Sequence, residues 1–304
     1  MTNTTSTNPI DAIRESIERR QLAAAIISGV LSRSGHPTSV DPVRLIVKPK
    51  GVHEKTANQG ALSNRICDLM YPHEPAGDFF HYTGPQAFEG IIGGGLLRLT
   101  HLSKRMSPAE GEIRTSAEQH GWEGYLDDSS GPAYAETLAQ DLFYTSFTRT
   151  HAPNPAQMWT NFGEGGRGAR LRFRIEVNRA RGHRGELRAI QYQANGKTLL
   201  NLINDDLDAA GLPHFLPWTA SKIGAFSLLD DLHHESEIRL LFKHHQGVPD
   251  ERQNDGPVQF WAVPIDQENN IASIKLTCIE AGPQADLDRI RKVTQASAFA
   301  RVDP

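Results

Sequence analysis

The chain of 304 residues carries 32 Lys+Arg against 36 Asp+Glu, a formal net charge of −4, with 38% hydrophobic and 22% charged residues. That is enough apolar material for a folded core and too much for a disordered chain, and the charge balance excludes a chain-wide basic footprint for nucleic acid while leaving a local patch open. The two cysteines, Cys67 and Cys278, form neither a disulfide framework nor a CxxC metal site, and a reducing cytoplasm is the expected compartment.

Residues 1–8 are Thr, Ser and Asn with little else, and no basic segment followed by an apolar run marks a signal peptide. Asp11 caps a predicted helix running to Ser34, with Ile13, Ile17, Leu22, Ala25, Ile26, Val30 and Leu31 near helical spacing. Its most apolar stretch, Leu22–Leu31, is too short to span a bilayer, so no membrane partner is expected. Residues 40–48 predict a short strand, Pro49-Lys50-Gly51 a turn, and Ala61–Met70 a second helix. The loop chemistry of Pro72–Gly77 places a boundary there, giving a helical N-terminal region over 1–76 and a second domain over 77–304.

The second domain opens with a strand at Asp78–Thr83, a helical turn at Gln86–Ile92 ended by Gly93-Gly94-Gly95, and a strand at Leu96–Thr100. Residues 103–134 read as a long polar loop with some helix. Strands follow at 142–148, 169–177 and 187–192, with a helical turn at 156–162 between the first two. Helices are expected at 199–211 and 218–231, then strands at 235–242, 258–263 and 271–279, then a closing amphipathic helix over 286–299. Short strands mixed irregularly with helices argue for an α+β fold.

Three polar segments sit on apolar strands: His81-Tyr82-Thr83, Tyr144-Thr145-Ser146, and Glu235-Ser236-Glu237 with Arg239 beyond. On one strand Glu235 and Glu237 share a face, and repulsion between them raises one carboxyl's affinity for a proton, unless both face water with Arg239 as partner. A strand histidine is as readily a hydrogen-bonded structural residue as a functional one, and Tyr144 and Trp159 are as readily core as ligand platforms. The doublets His233-His234 and His244-His245 flank the two glutamates without a tight ligand spacing, so no metal site is expected. Gly163–Gly168 is glycine-rich but precedes a strand, which fails the context for a phosphate cradle. Arg170, Arg172 and Arg174 share a strand face, either solvated or contacting nucleic-acid phosphates.

From about residue 79 to 285 the chain resembles a poorly characterised bacterial family, a domain of unknown function. The segments that carry the resemblance are His81-Tyr82-Thr83, Ile91–Gly95, Met158-Trp159 with Gly168, Lys222, Glu235-Ser236-Glu237-Ile238-Arg239, and Pro264-Ile265 through Gly282. That family is in turn similar to the ADP-ribosyltransferase superfamily, whose members carry a His or Arg, an aromatic or Ser/Thr strand, and a late Glu in this order. The resemblance implies a split antiparallel β-sandwich with flanking helices, binding NAD as substrate and needing no metal. It assigns Glu237 to the ribose 2′-hydroxyl, where it stabilises an oxocarbenium-like cation, and Glu235 to the acceptor. His81 with Thr83 and Tyr82 faces the ribose, Tyr144 stacks on nicotinamide, Ser146 supports Glu237, Trp159 walls the pocket and Arg105 meets the pyrophosphate.

The expected function is NAD-dependent ADP-ribosyl transfer to a protein or nucleic acid by a cytoplasmic bacterial toxin or antiphage effector, with an antitoxin or other partner at the N-terminal helices. Two alternatives stay open: a catalytically silent module of the same fold that binds a nucleotide or nucleic acid, and a metal-dependent hydrolase built on the histidine doublets with Glu235 and Glu237.

Overall fold

The fold is seen in a computed structural model that describes residues 9–58, 60–102, 112–121, 138–139, 141–149, 154–192, 197–228, 230–244 and 249–302. It is mixed α and β, with eight described α-helices and an antiparallel sheet. The chain divides into two compact units, one of Met1–Met70, Glu112–Ala135 and Asn195–Ala225, the other of Tyr71–Gly111, Glu136–Ala194 and Phe226–Pro304. The sequence boundary at residue 76 lies near the first crossing. The first unit also takes in two later segments, because the chain leaves the sheet twice between its strands and returns. None of the described helices is long and apolar enough to cross a membrane.

The first unit is mainly helical: α1 (Pro9–Arg33), α2 (Ala61–Met70), α4 (Glu112–His120), α6 (Leu199–Ala209) and α7 (Ala220–Ala225), with a hairpin of β1 (Leu45–Lys48) and β2 (Gly51–Glu54). Buried Glu54 at the end of β2 caps α2: its carboxylate accepts from the backbone N–H groups of Leu62 (2.8 Å) and Ser63 (2.7 Å) and from the Ser63 hydroxyl (2.6 Å). A carboxylate on the exposed donors of a helix start is favourable for both hydrogen bonding and the helix dipole. Thr198 and Asn201 form a capping box at the start of α6. The helix expected over 218–231 is instead the six-residue α7, after which Ser227-Leu228 turn extended and pair in parallel with Gln191-Tyr192. Tertiary pairing overrides the helical spacing there.

His120, at the end of α4, is 1% exposed; its Nδ1 lies 3.2 Å from the Thr198 hydroxyl, and its Nε2 is buried without a hydrogen-bond partner among the described residues. Burial pushes its pKa down to about 4. The unfolded chain therefore takes up a proton near the ordinary histidine value of 6.5 that the folded unit refuses until about pH 4. Stability gained from the neutral ring is complete above pH 6.5 and is lost as pH falls toward 4, by roughly 3 kcal/mol in all. Denaturant midpoints measured across that window are expected to fall more steeply for the native chain than for His120→Gln; parallel slopes would refute the assignment.

The second unit is built on nine antiparallel strands: β3 (Gly77–Thr83), β4 (Leu96–His101), β5 (Leu142–Arg149), β6 (Ala169–Glu176), β7 (Glu186–Ala189), β10 (Glu237–Lys243), β11 (Gln253–Asp255), β12 (Val258–Pro264) and β13 (Ser273–Ala281). The parallel pair β8 (Gln191–Tyr192) and β9 (Ser227–Leu228) lies outside this sheet. β5 organises it. One edge of β5 pairs with β10 along its length; the other edge is shared, with Phe79 and Phe80 of β3 at one end and Thr100 and His101 of β4 at the other. Between those two short ladders lie Thr145, Ser146 and Phe147, so the sheet splits along this edge.

One face of the sheet is apolar. Phe79, Phe143, Phe147, Leu171, Phe173, Ile238, Leu240 and Phe242 point into a core that α3 (Pro85–Gly94) closes with Phe88, Ile91 and Ile92 and α8 (Leu287–Gln295) closes with Ile290. The α3 helix starts with Pro85 at its first position and ends at Gly95, whose φ of 63° is the left-handed cap conformation glycine adopts freely. On the other face, α5 (Pro155–Phe162) lays Met158 and Trp159 against Phe80 and Tyr82.

Candidate functional site

The site is assembled from β3, β5 and β10, adjacent strands drawn from distant parts of the sequence. Directly opposed residues of antiparallel strands share a face. Glu237 stands opposite Thr148, Arg239 opposite Ser146, and Leu241 opposite Tyr144, so Glu237, Arg239, Ser146 and Tyr144 project on one side of the sheet.

The Ser146 hydroxyl donates to Oε1 of Glu237. Arg239 Nε donates to the same oxygen at 2.7 Å, and its Nη2 reaches Oε2 at 3.3 Å. Glu237 and Arg239 are 5% and 2% exposed, so this is a buried ion pair between residues two apart on a strand. The Arg239 guanidinium also lies over the Tyr144 ring, 4.4 Å from its centroid. Oε1 thus takes two strong donors and Oε2 one long one, which leaves Oε2 the more loosely held oxygen.

The backbone of Glu237 is fixed from one short segment. Its N–H donates to the Tyr192 hydroxyl at 2.9 Å, and its C=O accepts from Ile190 N at 2.9 Å. Tyr192 is pushed up to about 12, first by burial and further by the carboxylates of Glu237 and Glu235, against the opposing effect of the N–H it accepts. The phenol therefore stays neutral. Beside this arrangement, Arg188 of β7 stands opposite Arg239 and forms a second buried pair, its Nε donating to Glu186 at 2.9 Å and its Nη2 to His73 Nε2 at 2.9 Å.

The predicted site residues are distributed as follows. Glu235 is not on the strand. It ends a 3₁₀ turn over Asp230–Glu235, and Ser236 follows with φ of 45°, so the period-two alternation that would put Glu235 beside Glu237 is broken. The Glu235 carbonyl instead accepts from the Thr148 hydroxyl at 2.9 Å. His81 stands opposite Leu171, on the apolar face with Phe79 and Phe147, and Thr83 shares that face, buried. His81 meets the other site residues through the split: its Nδ1 lies 2.9 Å from the Ser146 carbonyl, which only accepts, so His81 donates there. The ring thereby satisfies a backbone group in the stretch of β5 where neither β3 nor β4 continues the ladder.

Tyr82 shares the Glu237 face but is enclosed, edge-on to Trp159 at 4.9 Å and hydrogen-bonded by Arg170 at 3.0 Å. Tyr144 is 2% exposed, with one ring face under Arg239. Arg105 lies outside the described residues. On the basic strand Arg170 pairs with Glu280 and Arg174 with Asp78, while Arg172 donates to the Thr277 hydroxyl at 3.3 Å. Among the described residues no group of three or more His, Cys, Asp and Glu stands together as a metal site; His244 packs against Trp261, and His245 is outside the described residues.

No protein-family model, curated protein or solved structure matches the chain. Tyr192 is the site residue that sequence reasoning missed; 45 residues from Glu237, on a two-residue strand, it leaves no local pattern. Arg239 was visible as a partner at the i+2 position.

Proposed function

We propose that the second unit is an NAD-dependent ADP-ribosyltransferase acting on a macromolecular acceptor, with Glu237 as its catalytic carboxylate. The observation that carries this reading is the hydrogen bond from Ser146 to Glu237, which joins two of the three strand motifs, while His81 of the third donates to the Ser146 carbonyl. The split along β5 supports the same reading.

In this proposal the bond from ribose C1′ to the nicotinamide nitrogen breaks, nicotinamide departs with the electron pair, and positive charge develops on the ribose. Glu237 accepts a hydrogen bond from the 2′-hydroxyl through Oε2, while Ser146 and Arg239 hold Oε1 and fix the carboxylate in advance. Such preorganisation is what makes electrostatic stabilisation effective. The acceptor forms the new bond to C1′ and gives up its proton to Glu235. His81 acts through Ser146 by holding its backbone across the split. The cytoplasmic toxin or antiphage role belongs to the same proposal.

The test is incubation with labelled NAD and cell lysate, the products being separated into protein, nucleic acid and free ADP-ribose. Glu237→Gln retains an oxygen for Ser146 and Arg239 but lacks the charge, and is expected to lower nicotinamide release about 100- to 1,000-fold with the fold retained by circular dichroism. If the folded native chain leaves NAD intact, the transferase reading fails.

A second reading rests on a specific observation. Both Glu237 oxygens are already engaged by Arg239 in a buried pair, as a structural carboxylate would be. A silent nucleotide-binding module of the same fold would bind NAD in a calorimeter, release no nicotinamide, and lose no binding in Glu237→Gln.

A further inference from the structure

The Tyr192 hydroxyl is half used. Its oxygen accepts from the Glu237 N–H at 2.9 Å, and nothing among the described residues accepts its proton. A phenol has one proton to give, and burial together with the charges of Glu237 and Glu235 keeps that proton in place up to about pH 12. An oxygen that takes an N–H on one side presents its own proton on another, so the O–H points away from the Glu237 backbone. The residue also stands where a ligand can reach it. The ladder of β7 with β10 runs out at Ala189 opposite Ile238, the chain passes Glu237 at Ile190, and Ser236 turns the facing strand away with φ of 45°. Half-buried Tyr192 therefore lies at the open end of that ladder, not inside it.

The two groups at this end are opposite in sense. Oε2 of Glu237, held only by the long contact from Arg239 at 3.3 Å, accepts; the phenol donates. A ligand group that serves both must carry a proton and a lone pair. An alcohol has both, whereas an ammonium, a guanidinium or an amide N–H has no lone pair to offer. We infer that Tyr192 and Glu237 together read a sugar hydroxyl, the phenol donating to the oxygen of the ribose 2′-hydroxyl whose proton Oε2 accepts. This rests on the role of Glu237 proposed above and adds Tyr192 as a specificity-determining residue. Its part is recognition. A donor to the 2′-oxygen draws electron density from the ribose, which does nothing for a developing cation, so its loss should raise KM and leave kcat nearly unchanged.

The test must separate the donor from the backbone acceptor, and difluorotyrosine in place of Tyr192 does so. Fluorination makes the phenol ionise at lower pH; the phenolate still accepts from the Glu237 N–H but has no proton to give. NAD and 2′-deoxy-NAD binding to the full chain is measured by calorimetry across that ionisation, which is followed by ultraviolet absorbance. The Kd for NAD is expected to rise about 3- to 10-fold as the substituted phenol ionises, the equivalent of one hydrogen bond, while the native chain stays level over the same range. The Kd for 2′-deoxy-NAD should not move in either protein. A Kd for NAD that ignores the ionisation overturns the inference and leaves Tyr192 as a backbone acceptor only. Equal weakening of both ligands overturns it too, because a phenolate that repels the pyrophosphate would act on both. A folded native chain that binds no NAD removes the transferase reading, and this inference falls with it.

Discussion

Replacing Arg239 by methionine is expected to destabilise the second unit by about 3–5 kcal/mol, the usual consequence of removing one partner of a buried ion pair. The guanidinium is 2% exposed, donates to both oxygens of Glu237 and covers the Tyr144 ring. Methionine fills much of its volume but leaves the Glu237 carboxylate buried with the Ser146 hydroxyl and no cation. The informative comparison is the pair of single variants with the double. Glu237→Met alone takes the carboxylate from Arg239; Glu237→Met/Arg239→Met removes both charges and should regain most of the lost stability, because an apolar replacement of a whole buried pair is often neutral or better. Chemical denaturation of the four proteins gives the coupling directly. If Arg239→Met unfolds at the native midpoint, the pair is not buried as described, and the geometry assigned to Glu237 goes with it.

The second large effect is expected from a single methyl group. Gly168 leads into β6, and a Cβ there would stand 1.9 Å from the carbonyl oxygen of Thr83 and 2.9 Å from Cα of Gly84. Both neighbours are backbone, so no side chain can rotate away. Gly168→Ala must push the end of β3 off β6, the segment that carries His81, Tyr82 and Thr83. The expected loss is about 3 kcal/mol, at the upper end for overpacking, together with the His81 to Ser146 hydrogen bond. Imidazole resonances followed by NMR should report that hydrogen bond separately from global stability. A variant with native stability and an unchanged His81 spectrum would contradict the close approach. In the glycine-rich stretch Gly168 is thus required by packing and Gly165 and Gly166 by φ of 70° and 88°; Gly282, which packs on the stretch, likewise has no room for a Cβ, the Gly166 carbonyl lying 2.2 Å from where it would be.

Much of the second unit could be read from sequence because its strands alternate cleanly. Phe79, Leu171 and Phe173 face the core while Phe80, Arg170 and Arg172 face away, a period of two that the order of residues displays. The adjacency of β3, β5 and β10 is carried by no local pattern. The reading failed where a long-range interaction decided the local conformation. Glu235-Ser236-Glu237 alternates like a strand, but Ser236 adopts φ of 45° and Glu235 closes a 3₁₀ turn, so the strand pleat does not set Glu235 beside Glu237. His81 was expected to face the ribose; the pleat of β3 puts it on the face opposite that of Glu237, and its ring meets Ser146 through the backbone carbonyl. The two later segments of the first unit were invisible as such, because the signal that returns a chain to an earlier core is complementarity of surfaces far apart in sequence.

The anchoring of Glu237 has a mechanical consequence. Both main-chain polar groups of that residue are held by the three residues 190–192, a stretch that continues β7, where Ala189 stands opposite Ile238, and that pairs in parallel through Gln191 with Ser227 and Tyr192 with Leu228. The Glu237 peptide is thus tied to residues 190–192 through its polar groups and to β5 through the register of β10, so its carboxylate is positioned from two sides of the strand at once.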